Sequence, residues 1–289
     1  EQNAFAVIPG ISLSGDKSHS FVQFLDSSAR KAVYFRYGRD EFRAEKGRFE
    51  VKIGKNFFSG RKMILDAEQD GVKVRADLEF DSIIPWPSTV FSPGAMGWYR
   101  FVPAMECYHG VLSFNHCISG YFEVNGIRKD FTGGKGYCEK DWGTSMPSSW
   151  IWFQCNHFDN PRASVFGSIA RIPWLGSSFT GYLFGFYLDG RIYRFTTYTG
   201  ARLGGLAANG GKISFHVEDR SYRMEISADR TEGADLPAPS FGEMSSKVNE
   251  SLNSRVRIVL YGKKEKRVIF MQDGRKAGLE FVGDIKELV

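Results

Sequence analysis

Alternation of apolar and polar residues is the first order visible along the chain. Val72, Val74, Ala76, Leu78 and Phe80 alternate without a break with Lys73, Arg75, Asp77 and Glu79, the pattern of a strand with one wet face. Phe49, Val51 and Ile53 repeat it, as do Tyr222, Met224 and Ile226. Between such runs lie Asp70-Gly71, Asn125-Gly126, Asp189-Gly190, Asn209-Gly210 and Asp273-Gly274, dipeptides that supply the positive φ angles of tight hairpins. Consecutive hairpins predict an antiparallel meander. A helix is expected in one place, where Ser240 and Glu243 form a capping box and Met244, Val248 and Leu252 follow on one helical face. The longest uncharged stretch, Ile172 to Leu188, is interrupted by Pro173, Gly176, Gly181 and Gly185. It reads as a loop and a strand, not as a membrane-spanning helix.

Length then sets the number of units. The chain has 289 residues, and an antiparallel barrel of roughly eight strands takes on the order of 120 to 180. The turn at Asn125-Gly126, followed by Thr132-Gly133-Gly134, is the best boundary. The expected fold is all-β: two lipocalin-like antiparallel β-barrels packed together, residues 1–133 and 134–289, with one short helix near the C-terminus. The lipocalin comparison rests on analogy with other meander barrels carrying one helix.

Composition sharpens this picture. Aromatic residues make up 15% of the chain, and 25 phenylalanines and 32 glycines are present. That bias suits strands, tight turns and an apolar cavity that could hold a flat greasy molecule. The formal charge of +5 is spread along strands, so nucleic acid is not expected as a partner. Cys107, Cys117, Cys138 and Cys155 show no CxxC spacing and read as free thiols. The chain opens Glu1-Gln2-Asn3 with no visible signal peptide, which favours a cytoplasmic location.

The densest chemistry lies between Gly133 and Phe158. If Tyr137 to Asp141 is extended, Tyr137, Glu139 and Asp141 share one face at spacings of about 6.6–7 Å, and Lys140 points the other way. Two carboxyls brought together in an apolar pocket raise the affinity of one of them for a proton. The following run, Trp150 to Phe158, is apolar on both faces and should be buried. Trp150, Trp152, Gln154 and Asn156 share a face there, either as a pocket wall that stacks a ring and bonds its oxygen or as core packing with satisfied amides. His109 and His116 have opposite strand parity, so a metal site would need a bulge near Gly110, and no metal is expected. His216 lies on the polar side of its strand and should be exposed. No GxSxG, Walker, HExxH or GxGxxG motif is present.

Several segments together resemble the tocopherol cyclase-like family. They are Phe5-Ala6-Val7-Ile8-Pro9-Gly10 with Ser18-His19-Ser20-Phe21, Pro93 to Tyr99, Met105 to Gly110, Gly134 to Gly143, Trp150-x-Trp152-x-Gln154-x-Asn156, and Gly242 to Leu252. The resemblance implies two lipocalin-like barrels, as in the carotenoid hydratases and lipocalin-like Diels-Alderases, and a hydrophobic small molecule as partner. It implies cofactor-free isomerisation: a prenyl double bond is protonated while a phenol oxygen closes a chromanol ring. Glu139 would be the acid and Asp141 its neighbour, Trp142, Trp150 and Trp152 would surround the cation, and Gln154 and Asn156 would orient the oxygen. Tyr137, Tyr108, His109 and His116 complete the expected binding set. Plant members carry plastid leaders and a neutral residue near the position of Asp141, which marks this chain as a different branch. Transient membrane contact for ligand loading would fit such a substrate. A non-catalytic carrier of a greasy ligand uses the same wall, and an interaction module would instead pair Glu139 with a basic residue.

Overall fold

The structure is a computed structural model that describes residues 3–103 and 105–288. It consists almost entirely of antiparallel strands joined by short turns, with a few 3₁₀ turns and, among the described residues, no longer helix. Three sheets build two lipocalin-like barrels. In the first, the strands Phe5–Ser12, His19–Asp26 and Lys31–Tyr37 form a three-stranded sheet that closes over an eight-stranded one, Phe42–Ala44 to Gly134–Gly143. Val22, Phe24 and Phe35 from the small sheet pack against Ile53, Leu65, Val74, Leu78 and Phe122 of the large one. In the second barrel, ten strands from Trp150–Cys155 to Arg267–Val282 surround Ile151, Phe153, Phe184, Phe186, Phe195, Phe215, Met224, Ile258 and Leu279. Fully burying each such side chain contributes about 1.5–3 kcal/mol, so this inner face is the main driving force of the second barrel.

Turn chemistry explains the meander. Asp70 and Gly71 have φ of 50° and 75°, Asn125 and Gly126 of 49° and 83°, and Asp189 and Gly190 of 49° and 92°, the two left-handed residues of a tight hairpin. One turn is displaced: Asn209 pairs with Lys212, so Gly210 and Gly211 make the turn. Asp273-Gly274 is not a turn at all. It lies inside the Arg267–Val282 strand, paired with Arg257 and Val256. Glycine is needed there for closeness, because a Cβ would sit 2.6 Å from the Cys155 sulfur. The uncharged stretch folds as a hairpin, Ala163–Trp174 into Ser177–Leu188, turning on Leu175 and Gly176.

The expected helix near the C-terminus is absent from residues 240–252. Ala234–Ser240 and Glu243–Gly262 are paired strands, and Phe241 and Gly242 turn between them at φ of 49° and 86°. The four-residue spacing of Met244, Val248 and Leu252 is an even number, so it also fits one face of a strand. Val248, Glu250, Leu252, Ser254, Val256 and Ile258 continue the buried face well past any single helix.

The two barrels meet on aromatic contacts. Trp86 stacks on Phe114 at 5.5 Å and lies edge-on to Phe166 at 6.2 Å. The Ser164 hydroxyl donates to the Phe114 carbonyl at 2.6 Å. Trp150, Trp152 and Gln154 alternate with the inward-facing Ile151 and Phe153, so they stand on the outside of the second barrel and face the first. His216 is half-buried against Gly204, where a Cβ would approach its ring to 2.8 Å.

Candidate functional site

The Gly134–Gly143 strand pairs with Cys107–Val124, setting Asp141 opposite His109 and Trp142 opposite Tyr108. The register slips between Gly136 and Cys138 and again between Cys138 and Glu139. Such irregularities re-aim side chains locally, and here they bring Glu139 beside His109. Gly136 is required for a different reason: a Cβ would lie 2.0 Å from the His116 ring.

Five side chains converge. The Tyr137 hydroxyl donates to Glu139 Oε2, and Trp152 Nε1 donates to the same oxygen at 3.1 Å. His109 Nδ1 is 2.5 Å from Asp141 Oδ1. Its Nε2 lies 3.2 Å from Glu139 Oε2 but out of line for a hydrogen bond. The imidazole stacks on Phe166 at 4.8 Å and 7°. Burial alone would weaken its hold on a proton, but the charges and contacts of Asp141 and Glu139 outweigh that and hold it well above the ordinary histidine value. Burial, followed by the charge and hydrogen bond of Glu139, pushes Tyr137 well up. The partner of Glu139 is therefore His109, itself on the cavity wall, while Lys140 lies over the Trp142 ring at 4.7 Å. His109, Glu139 and Asp141 also offer one ligand atom each within 4.8 Å of one another, a set that could hold a divalent cation.

These groups line a cavity of about 2020 Å³ between the barrels. Its wall includes Phe21, Phe58, Leu78 and Phe80 from the first barrel and Trp150, Trp152, Ala170 and Leu183 from the second. Two further acids line it that sequence reasoning missed, Glu250 and Glu280. Glu280 sits opposite Trp152 in register and accepts from Trp150 Nε1 at 2.8 Å. Burial, despite the Trp150 hydrogen bond, pushes it up to about 7, with Glu139 and Asp141 adding to the effect. Burial and then Glu280 and Glu139 push Glu250 well up. Strand alternation through Val248, Glu250 and Leu252 carried the signal for Glu250, hidden by the helix assignment.

The other expected residues separate into groups. Gln154 lines the cavity with Oε1 buried and unpartnered. Asn156 lines it too, and its amide donates to the Gly136 carbonyl at 3.0 Å and to Asn115 Oδ1 at 3.3 Å. His116 is buried beside Ser113 Oγ at 3.1 Å, and burial lowers it to about 4, so it is neutral. Trp142 stacks on Tyr108 at 5.3 Å. Tyr108 turns away from the cavity and donates to the Val102 carbonyl at 2.6 Å. All four cysteines are free, and burial pushes the Cys138 and Cys155 thiols up to about 12.

The sequence model of the tocopherol cyclase-like family matches residues 21–283. The chain belongs to the tocopherol cyclase-like family. Over 150 residues, 50% of the chain, it is 29% identical to the probable chloroplastic tocopherol cyclase of Oryza sativa subsp. japonica. Over the same length it is 28% identical to the chloroplastic tocopherol cyclase of Zea mays. The matches span 32% and 31% of those relatives' own length. Among solved structures, kievitone hydratase from Nectria haematococca superimposes with a TM-score of 0.51 at 12% identity, covering 98% of this chain and 85% of that one. That likeness is one of fold. Among the described residues, no helix is long and apolar enough to cross a membrane.

Proposed function

We propose that this chain holds a prenylated aromatic or other isoprenoid molecule between its barrels and closes a ring on it by acid catalysis. The observation that carries this reading is one cluster, Tyr137, Glu139, Trp152, His109 and Asp141, facing an aromatic-walled cavity. The Gly134–Gly143 strand, a member of the first barrel's large sheet, lies at the seam with the second.

The chemistry is a net isomerisation and consumes no cofactor. A proton passes from Glu139 to one alkene carbon, leaving a tertiary cation on the other, and the Glu139 carboxylate left behind is held by His109. The indoles of Trp150 and Trp152 stabilise that cation through their ring faces. The phenol oxygen forms the new C–O bond and its proton returns to Glu139, so the protein ends as it began. Asp141 positions and charges His109. The relatives named tocopherol cyclases support this choice of substrate class. Exposed apolar side chains at hairpin tips, Phe241 and Leu175 among them, suit brief contact with the membrane that stores such molecules.

Replacing Glu139 by Gln keeps the shape and removes the acid. Turnover of a prenylated hydroquinone, followed by chromatography, should fall about 10²–10⁴-fold. A variant that cyclises at the wild-type rate would end the assignment of Glu139. Wild-type protein that binds the compound without converting it would leave the carrier reading in its place.

A further inference from the structure

Glu250 and Glu280 both line the cavity, and neither carboxyl has its oxygens fully answered by protein groups among the described residues. Glu250 is 6% exposed, yet its carboxyl has no hydrogen bond or cation among the described residues. Glu280 has one partner, the Trp150 indole on Oε2, and no protein group among the described residues holds Oε1. Their strands are adjacent, with Ser251 paired to Leu279, so the two carboxyls neighbour each other. Around them stand Trp150, Ala170, Ala238 and Val248 on one side and Leu236 and Leu252 on the other. Carboxyls in such apolar surroundings, Glu250 buried and Glu280 half-buried, are costly unless something answers them.

We propose that Glu280 is a ligand-contacting residue, an un-ionised carboxylic acid that donates a hydrogen bond from Oε1 to an oxygen of the bound molecule. Burial keeps it a donor. Glu139 and Asp141, across the seam on the Gly134–Gly143 strand of the first barrel, also disfavour a negative charge on Glu280. The Trp150 hydrogen bond and Arg230 act the other way; the first occupies only Oε2, and the guanidinium of the second is committed to Asn249, whose carbonyl it meets at 2.7 Å. The value near 7 for Glu280 agrees with this placement. Gln154 and Gln23 line the same cavity, each with a buried Oε1 lacking a donor. A donor and free acceptors together select a hydroxylated ligand, such as a phenol or an isoprenoid alcohol, over a plain hydrocarbon. The assignment rests on the reading above that the cavity holds a greasy molecule, but it does not depend on turnover.

The probes are a long-chain alkyl phenyl ketone, which only accepts hydrogen bonds, and the alkylbenzene of equal chain length. Their dissociation constants are measured by quenching of tryptophan fluorescence at about pH 6 and about pH 9, on either side of the Glu280 transition. Wild-type protein should prefer the ketone roughly three- to tenfold at the lower pH and lose that preference at the higher one. Glu280→Gln keeps a donor at every pH and should hold the preference at both. Glu280→Leu should lose it at both. If Glu280→Leu fails to fold, as judged by circular dichroism, the comparison of wild type with Glu280→Gln still decides. A wild-type preference indifferent to pH, or one that survives in Glu280→Leu, overturns the role of Glu280 alone. Failure of both probes to bind overturns it together with the reading of the cavity.

Discussion

Glu280 and His109 both tie the protein's stability to pH, and in the same direction. For Glu280 the folded value is raised from 4.5 to about 7. Its contribution is present below the lower figure and is lost as pH rises through the higher one. His109 is raised by its two carboxylate neighbours, so its contribution is full below the ordinary histidine value and is lost as pH rises through the folded one. Replacing Glu280 by Gln removes the first of these while keeping an acceptor for Trp150. The variant should therefore gain on wild type between about pH 5 and pH 8, by as much as roughly 3 kcal/mol. Urea midpoints at the two pH values test this, and a constant difference between the proteins would contradict it. Residue by residue, part of the site was legible in the sequence. Strand parity alone placed Tyr137, Glu139 and Asp141 on one face, because the period of a strand survives small irregularities. The position of His109 was not legible, since it depends on register slips that leave no mark in the sequence.

At the scale of elements, Phe241-Gly242 decides between two structures for one segment. Spacings of four are shared by helices and by alternate positions of a strand, so Met244, Val248 and Leu252 could not separate them. The structure resolves the segment as a strand: Phe241 and Gly242 turn the chain, and the buried alternation runs on without a break to Val256, Ile258 and Leu260. Asp273-Gly274 misleads in the opposite sense: its glycine answers the approach of Cys155 and Phe158, which the sequence does not show. The substitution Gly242→Ala separates the alternatives by sign. Nothing lies within 4 Å of the position, so only the backbone responds, and its φ of 86° disfavours a side chain. Thermal unfolding should show a loss of about 1 kcal/mol. In a helix the same change would stabilise by a similar amount. The strand assignment also matters for the site, because it carries Glu250 onto the cavity wall.

At the scale of the whole molecule, the working space opens at the seam between the barrels and reaches into the first, where Phe58, Leu78 and Phe122 line it. The second barrel has a filled core of its own, none of it on the cavity wall. The second presents its outer wall of Trp150, Trp152 and Gln154 to the first. Composition foretold a cavity with aromatic walls, but only the docking of the barrels shows which walls they are. A space of about 2020 Å³ exceeds what an aromatic head group fills, so the remainder should take an isoprenoid tail. Binding free energy should then grow with tail length, each buried methylene contributing up to about 0.8 kcal/mol, until the seam is full. Because a ligand stabilises the state that binds it, the thermal midpoint of the delipidated protein should climb along a series of hydroquinones bearing one, two, three and four prenyl units. At one hundred times the dissociation constant the gain is about 2.7 kcal/mol, or several degrees for a chain of this size. A series in which the midpoint is indifferent to tail length would mean that the head group alone binds, and that the apolar length of the seam serves packing of the barrels instead.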